Sequence, residues 1–337
     1  MKLTFHTHFT HLFNYFVFAL ISLIFTACTA KVAQNPDSTN QLTFTPSASQ
    51  VRNDFNFTLI STGDIGLVRD INAKVVAKND PTYPFSNIAD YLNHADLTIT
   101  NLEGPLIEKC PIILTGFKFC GQSVNAKGLK FSGIDAASLA NNHSTNYGQT
   151  GLKQTIDALS QEGITPFGTG DTVTYFDING RKIALIGFVE LGNKWAGLNN
   201  ATEENVAELV KRAKTTADVV VVSFHWGPEY VRKPSDNMVK LAHLAIDNGA
   251  DLILGNHSHW IMDTQEYKNV FISYGQGNTI FDQDWSQETK EGILYKFDFR
   301  DDKFSLIERK FTVIEDNSRP RMATEEESQK ILSKLTK

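Results

Sequence analysis

Five short polar blocks hold the side chains of this chain that are capable of chemistry: Thr62-Gly63-Asp64, Asn101-Leu102-Glu103-Gly104, Asn141-Asn142-His143, His225-Trp226-Gly227 and Gly255-Asn256-His257-Ser258-His259. They offer carboxylates at Asp64 and Glu103, an amide at Asn142 and imidazoles at His143, His225, His257 and His259. Carboxylate oxygen and imidazole nitrogen in one set suit Mn, Fe or Zn, whereas a Mg or Ca site is built almost wholly from oxygen. The His-x-His spacing lets two imidazoles converge on one ion or address two adjacent ions, and the glycine ahead of it permits a sharp turn. Taken singly, each residue has an ordinary reading, Asp64 as a helix cap, Glu103 as a turn residue and Asn142 as a turn former. Their joint occurrence predicts a divalent metal site of one or two ions.

What must position these blocks is a set of apolar runs, one before each block. The runs at 57–61, 96–100, 136–139, 218–224 and 251–254 read as strands, as do 182–189 and 270–273. Ligand sites of open α/β sheets lie beyond strand ends. Helical spacing covers 151–161, 202–215 with Thr202 as N-cap, and 235–248 stopped by Gly249. Residues 292–299 and 304–314 read as a hairpin around Arg300-Asp301-Asp302-Lys303, so part of the sheet is antiparallel, and 325–335 reads as a closing helix. Alternation of this kind predicts a layered α/β domain over 55–337.

The first 27 residues carry one charge, Lys2, ahead of an apolar run over 12–27. That run is shorter than the roughly 20 residues of a membrane-crossing helix and fits the apolar part of a signal peptide. Phe25-Thr26-Ala27-Cys28 resembles a bacterial lipoprotein cleavage site, which implies a lipid on Cys28; the alternative is an uncleaved N-terminal anchor. Residues 28–54, rich in Ser, Thr, Asn and Gln, read as a flexible tether. The expected location is the cell envelope, facing periplasm or exterior. There Cys110 and Cys120 form an even pair whose simplest state is a disulfide, two buried free thiols being the alternative. A net charge of −6 lacks the Lys and Arg excess that phosphate-backbone binding needs, so nucleic acid is not an expected partner.

The order of the blocks resembles the calcineurin-like metallophosphoesterases, and within them the CapA branch linked to poly-γ-glutamate capsule synthesis. The segment Ser273-Tyr274-Gly275-Gln276-Gly277-Asn278-Thr279-Ile280-Phe281-Asp282-Gln283 is similar to the terminal signature of that branch. The resemblance implies a four-layer α/β/β/α sandwich with mixed sheets. It implies that Asp64 and His259 hold one metal, that Asn142, His225 and His257 hold a second, and that Glu103 bridges or lies near both. His143 would face the substrate and donate a proton to the leaving oxygen. Two such ions activate water and neutralise phosphoryl charge.

The implied function is a membrane-tethered, metal-dependent phosphoesterase-like hydrolase in synthesis or export of a surface polymer. Its partners would be membrane lipid, an anionic polymer or phosphoester substrate, and polymer ligase or export subunits. A non-catalytic scaffold, a general phosphatase or nucleotidase, and an amide hydrolase are the alternatives. Three positions depart from the superfamily or branch pattern: Gly66 stands where the first motif has a His ligand, Glu103 replaces the bridging Asp, and Asn146 stands where the branch often has Asp. His94 and His243 read as surface or packing residues. Trp226, Tyr230, Trp260 and Trp285 either line a pocket or pack. Arg69 and Lys118 either meet an anionic substrate or are solvated charges.

Overall fold

Strand residues alternate between two apolar faces, and this alternation builds the layers. In β1 (Phe57–Ile65), Phe57 and Leu59 enter one core while Ile60 enters another. In β9 (Val219–Trp226), Val219 and Val221 share the core of Phe57 and Leu59, and Val220, Val222 and Phe224 face the opposite way. Two sheets therefore pack face to face, each with a second buried face that needs a cover. The computed structural model describes residues 56–335, which fall in one compact unit, Arg52–Lys337. The expected signal segment, Cys28 and the tether lie outside the described residues.

The first sheet runs in the order β16 (Arg319–Met322), β15 (Lys303–Glu315), β14 (Glu291–Arg300), β1, β2 (Leu97–Leu102), β5 (Ala136–Ser138), β6 (Thr165–Phe167), and β13 (Asn278–Ile280) also pairs with β1. The second runs β11 (Thr264–Tyr267), β12 (Val270–Ser273), β10 (Leu252–Asn256), β9, β8 (Arg181–Glu190), β7 (Thr174–Ile178). A small parallel pair joins β3 (Leu106–Ile107) to β4 (Gly121–Gln122). Both large sheets are mixed: β1 is parallel to β2 and antiparallel to β14, and β10 is parallel to β9 while β11 is antiparallel to β12.

Helices α1 (Arg69–Lys78), α2 (Ala89–Leu92), α3 (Ala126–Phe131) and α4 (Gly148–Gln161) cover the outer face of the first sheet through Ile71, Leu92, Leu129, Leu152 and Leu159. Helices α5 (Glu203–Lys214) and α6 (Asp236–Asp247) cover the second through Val206, Leu209, Val210, Met238 and Leu241. Each fully buried side chain of this kind contributes about 1.5–3 kcal/mol. Both covering helices start on hydroxyl caps, Thr202 Oγ1 accepting from Asn205 N at 3.1 Å and Ser235 Oγ from Met238 N at 3.3 Å. Between the sheets, aliphatic residues are joined by a cluster of aromatics, with Phe57 stacked on Phe299 at 5.1 Å, and α7 (Glu325–Leu335) sends Ile331 into this layer. The result is the expected four-layer α/β/β/α sandwich.

The strand ends differ from expectation in a way that matters for the site. Asp64, Asn101, His225 and Asn256 lie inside strands, not beyond them: Asp64 pairs with Asn101 and His225 with Asn256. Backbone pairing does not depend on side-chain polarity, so the ladder continues after the apolar pattern stops. Strands β6, β7, β11, β13 and β16 and helix α1, for which no strong pattern exists in the sequence, complete the layers. Of these, β13 bears directly on the site. Gly277, the residue just ahead of it, approaches β1 so closely that a Cβ on Gly63 would lie 2.1 Å from Gly277 O. Gly63→Ala should therefore destabilise the domain by about 1–3 kcal/mol, the usual range for overpacking. Denaturant unfolding checks this, and an unchanged midpoint would show that the strands separate freely.

Candidate metal centre

The parallel strands β1, β2 and β5 of one sheet and β9 and β10 of the other bring the polar blocks to one place. Asp64 ties the two sheets together there. Its Oδ1 accepts from Asn101 Nδ2 at 2.8 Å, and its Oδ2 accepts from the His257 backbone N–H at 3.1 Å. Asn101 Oδ1 in turn accepts from Asn141 Nδ2 at 3.1 Å. The remaining oxygen of Asn141 accepts from His143 N at 3.1 Å and Ser144 N at 2.9 Å, which folds the turn carrying Asn142 and His143.

Around this tie the predicted ligands converge. Asn142 Oδ1 lies 2.9 Å from His225 Nε2, which lies 3.1 Å from His257 Nδ1. His259 places Nδ1 3.5 Å from Asp64 Oδ2 and Nε2 3.7 Å from Glu103 Oε1. Two overlapping groups, Glu103–His257–His259 and Asp64–Glu103–His225, each hold ligand atoms within 4.8 Å of one another, and Glu103 belongs to both. His257 and His259 have φ of 91° and 53°, in a backbone region that costs a non-glycine residue about 1–3 kcal/mol. That strain brings both rings to the centre with only one residue between them. Asn278 fixes the second ring, its Oδ1 2.9 Å from His259 Nδ1.

Charge explains what the cluster is suited to hold. Burial pushes the Asp64 carboxyl up to about 7. Burial, with the Asp64 charge beside it, also holds Glu103 well above the carboxylate range. Burial works oppositely on the imidazoles, lowering His225 far below its ordinary value, His257 to about 3 and His259 to about 4. Neutral imidazoles present lone pairs, as metal ligands must. Both Glu103 oxygens are buried without a hydrogen-bond partner. A carboxylate in that state needs a proton or a cation. Ionising Asp64 here costs about 4 kcal/mol more than in water, and a divalent ion offsets this for both carboxylates at once. The donor set therefore fits a divalent metal.

His143 stands to one side. Its Nδ1 lies 3.0 Å from Asn146 Oδ1, which also accepts from Phe119 N at 2.7 Å. An oxygen already facing an N–H requires the ring proton on Nδ1, which leaves the lone pair on Nε2, 3.9 Å from Glu103 Oε1. The ring stacks on Phe119 with centroids 4.0 Å apart. Phe119 adjoins Cys120, which is joined to Cys110 by a disulfide with Cα atoms 5.8 Å apart.

The residues left with ordinary or divided readings in the sequence take definite places in the fold. Arg69 is neither a surface charge nor placed free for a substrate: it is buried at φ 45° and held by Asp282, with Nε 3.0 Å from each carboxylate oxygen. Its guanidinium lies 4.6 Å from the Phe119 ring and 5.8 Å from the Phe281 ring, the residues packed on His143 and His259. Lys118 is exposed over Tyr147. Trp226 is buried and donates to Tyr274 O, so it packs. Tyr230 lies 6.1 Å from His259 and 6.0 Å from Trp285, which is 54% exposed, and with Trp260 forms an aromatic rim. His243 packs on Tyr267 and His94 is exposed at the end of α2.

Fold and cluster together define a class of layered α/β domains with a candidate metal centre at the ends of two mixed sheets. A solved phosphatase from Mycoplasma pneumoniae aligns with a TM-score of 0.50 at 14% identity, over 77% of this chain and 94% of that one. Within that class, residues 58–283 match the model of the bacterial capsule synthesis protein PGA_cap family, and the chain belongs to this family. Its similarity to the capsule biosynthesis protein CapA of Bacillus anthracis is 28% identity, covering 85% of this chain and 74% of that protein. The PGA biosynthesis protein CapA of Bacillus subtilis is also 28% identical, over 70% of this chain and 66% of that protein.

The raised carboxyls give metal binding a definite pH dependence. Asp64 and Glu103 hold protons near neutrality without an ion, and an ion must displace them, whereas the depressed histidines have none to lose. Divalent affinity should therefore fall as pH is lowered from about 8 to about 6, with protons released on binding. Calorimetric titration in buffers of different ionisation enthalpy measures both, and pH-independent affinity without proton release would contradict the charge assignment.

Proposed function

We propose that this chain is a metal-dependent hydrolase acting in the synthesis or export of an anionic capsular polymer of the poly-γ-glutamate kind. The observation that carries the reading is the doubly unpartnered Glu103 carboxylate shared by two groups of potential ligands. Asp64, Glu103, Asn142, His225, His257 and His259 would hold one or two ions. Bound there, such ions would supply Lewis-acid polarisation of a phosphoryl or carbonyl oxygen and a lowered pKa for water.

The protein's own groups shape the rest. The Asn101–Asn141 amide chain holds the ligand-bearing loops in register. His143, neutral with its lone pair at Nε2, accepts a proton there before it can give one to a leaving group. The aromatic rim of Tyr230, Trp260 and Trp285 restricts one side of the entrance. The family and the capsule-related relatives support the polymer assignment. Attachment to the outer side of a membrane through a lipid on Cys28 rests on the apolar run over 12–27 and on the Cys110–Cys120 disulfide, which suits an oxidising compartment. Among the described residues no helix is long and apolar enough to cross a membrane.

Assays on phosphomonoesters, phosphodiesters and glutamate polymers, run with metal analysis, test the proposal. His143→Ala should retain the ion but slow turnover by about 10²–10⁴-fold, the usual worth of proton transfer, while His225→Ala should lose the ion. The replacement of a ligand by Gly66 favours one second reading, a non-catalytic scaffold. Full polymer production in cells carrying either variant would establish the scaffold and end the hydrolase proposal.

A further inference from the structure

The loop closed by the Cys110–Cys120 disulfide carries apolar side chains into solvent beside the candidate metal centre. Ile112 is 52% exposed, Leu114 59% and Phe117 73%. Single exposed apolar residues are ordinary, but a group of them on one short loop marks a surface that something covers. This loop is held in place, since Arg69 Nη1 donates to Gly116 O at 3.3 Å and Phe119 N donates to Asn146 Oδ1 at 2.7 Å. Phe117 lies 6.5 Å from Phe119, which stacks on His143, so the exposed tip stands next to the cluster. Trp285, exposed and in contact with Tyr230 beside His259, adds a fourth apolar group near the same centre.

Two features choose what covers the loop. Protein partners are specified by a polar rim and hydrogen bonds around an apolar core. Residues 111–119 offer methyl groups, rings and one charge, the cation Lys118, with no acidic residue among them. Apolar side chains beside a cation are the composition that enters an anionic lipid surface to headgroup depth. The chain also carries a segment of its own that reads as directed to lipid, the apolar run over 12–27 ending at Cys28. The nine residues of β1 place Phe57 about 26 Å from the Asp64 end, where the loop lies. Residues 29–55 can span up to about 90 Å, so a lipid on Cys28 permits either end of the domain to face the bilayer.

Resting on the lipid attachment proposed above, we propose that the loop over 111–119 is a second, shallow membrane contact. Ile112, Leu114 and Phe117 enter the headgroup region of the bilayer that holds Cys28, and the metal centre opens toward that surface. A tether alone would leave the domain free to face any direction. The loop sets the orientation, and the tether makes its weak contact effective by keeping it close to the lipid.

The full chain, floated with vesicles of phosphatidylethanolamine and phosphatidylglycerol, tests this through a fluorescent label at Thr115→Cys or, as control, at Ile307→Cys on β15. Brominated lipids should quench the loop label on the order of tenfold more strongly than the control, because the loop lies within about 10 Å of the acyl boundary. Adding Ile112→Ser, Leu114→Ser and Phe117→Ser should abolish that difference while the chain still floats; a difference that persists would overturn the loop's role. If the added thiol disturbs the disulfide, hydroxyl-radical footprinting of the unaltered chain decides. Phe117 should then be oxidised more slowly than Ile307, the reverse of the order of their exposures. Equal quenching on a floating chain leaves the attachment in place and overturns the loop contact. Shielding that rises with protein density on the vesicle, without lipid quenching, would assign the loop to a second copy and also overturn it. A chain that does not float removes the lipid attachment and this inference together.

Discussion

Where the polar blocks meet, the Asp64 carboxylate joins the two halves of the sandwich, beside the Asn142–His225 and His259–Asn278 contacts. It accepts one hydrogen bond from Asn101 on a neighbouring strand of its own sheet and another from the His257 backbone of the opposite sheet. Two sheets packed through apolar layers are otherwise free to adjust by small sliding motions, since dispersion and hydrophobic burial are non-directional. Hydrogen bonds to a buried acceptor are directional and costly to break. The tie therefore helps to fix the separation between candidate ligands borne by one sheet (Asp64, Glu103, Asn142) and those borne by the other (His225, His257, His259).

The same tie creates an electrostatic debt. It places a carboxylate in the interior beside a second one, Glu103, and the nearest buried cation, Arg69, is already committed to Asp282. Arg69 is thus a structural post: it holds Phe119 and Phe281, which in turn hold His143 and His259. Without an ion, protons satisfy the carboxyls and the imidazoles stay neutral; with one, the carboxyls ionise. The hydrogen-bonded amides Asn101 and Asn141 hold the polar cluster without an ion, so it is organised ahead of ligand binding.

How far the sequence discloses this depends on the kind of information each residue carries. His225, His257 and His259 are legible because imidazoles beside apolar runs have few structural uses, and Thr202 is legible as a cap because the helix behind it is periodic. Asp64 and Asn101 are legible as candidates but not as strand residues, since an apolar pattern ends where a polar side chain begins even though the ladder continues. Arg69, Phe119 and Phe281 are not legible. Their roles depend on contacts between segments as far apart as Arg69 and Asp282, and no local pattern encodes them. The strand β13 escapes for the same reason, its three residues being defined by the partner rather than by periodicity.

Gly66 shows how absence and packing differ as kinds of evidence. In the sequence it is a missing ligand, consistent with either a weakened centre or a lost one. In the fold it is half of a contact, because the Phe281 ring lies where any larger residue would stand. Beside it, Glu103 has both oxygens buried and unpaired, and His257 and His259 sit in strained backbone. Those features are destabilising unless an ion compensates them. A filled position 66 therefore coexists with a cluster whose buried, unpaired carboxylate still suits a cation.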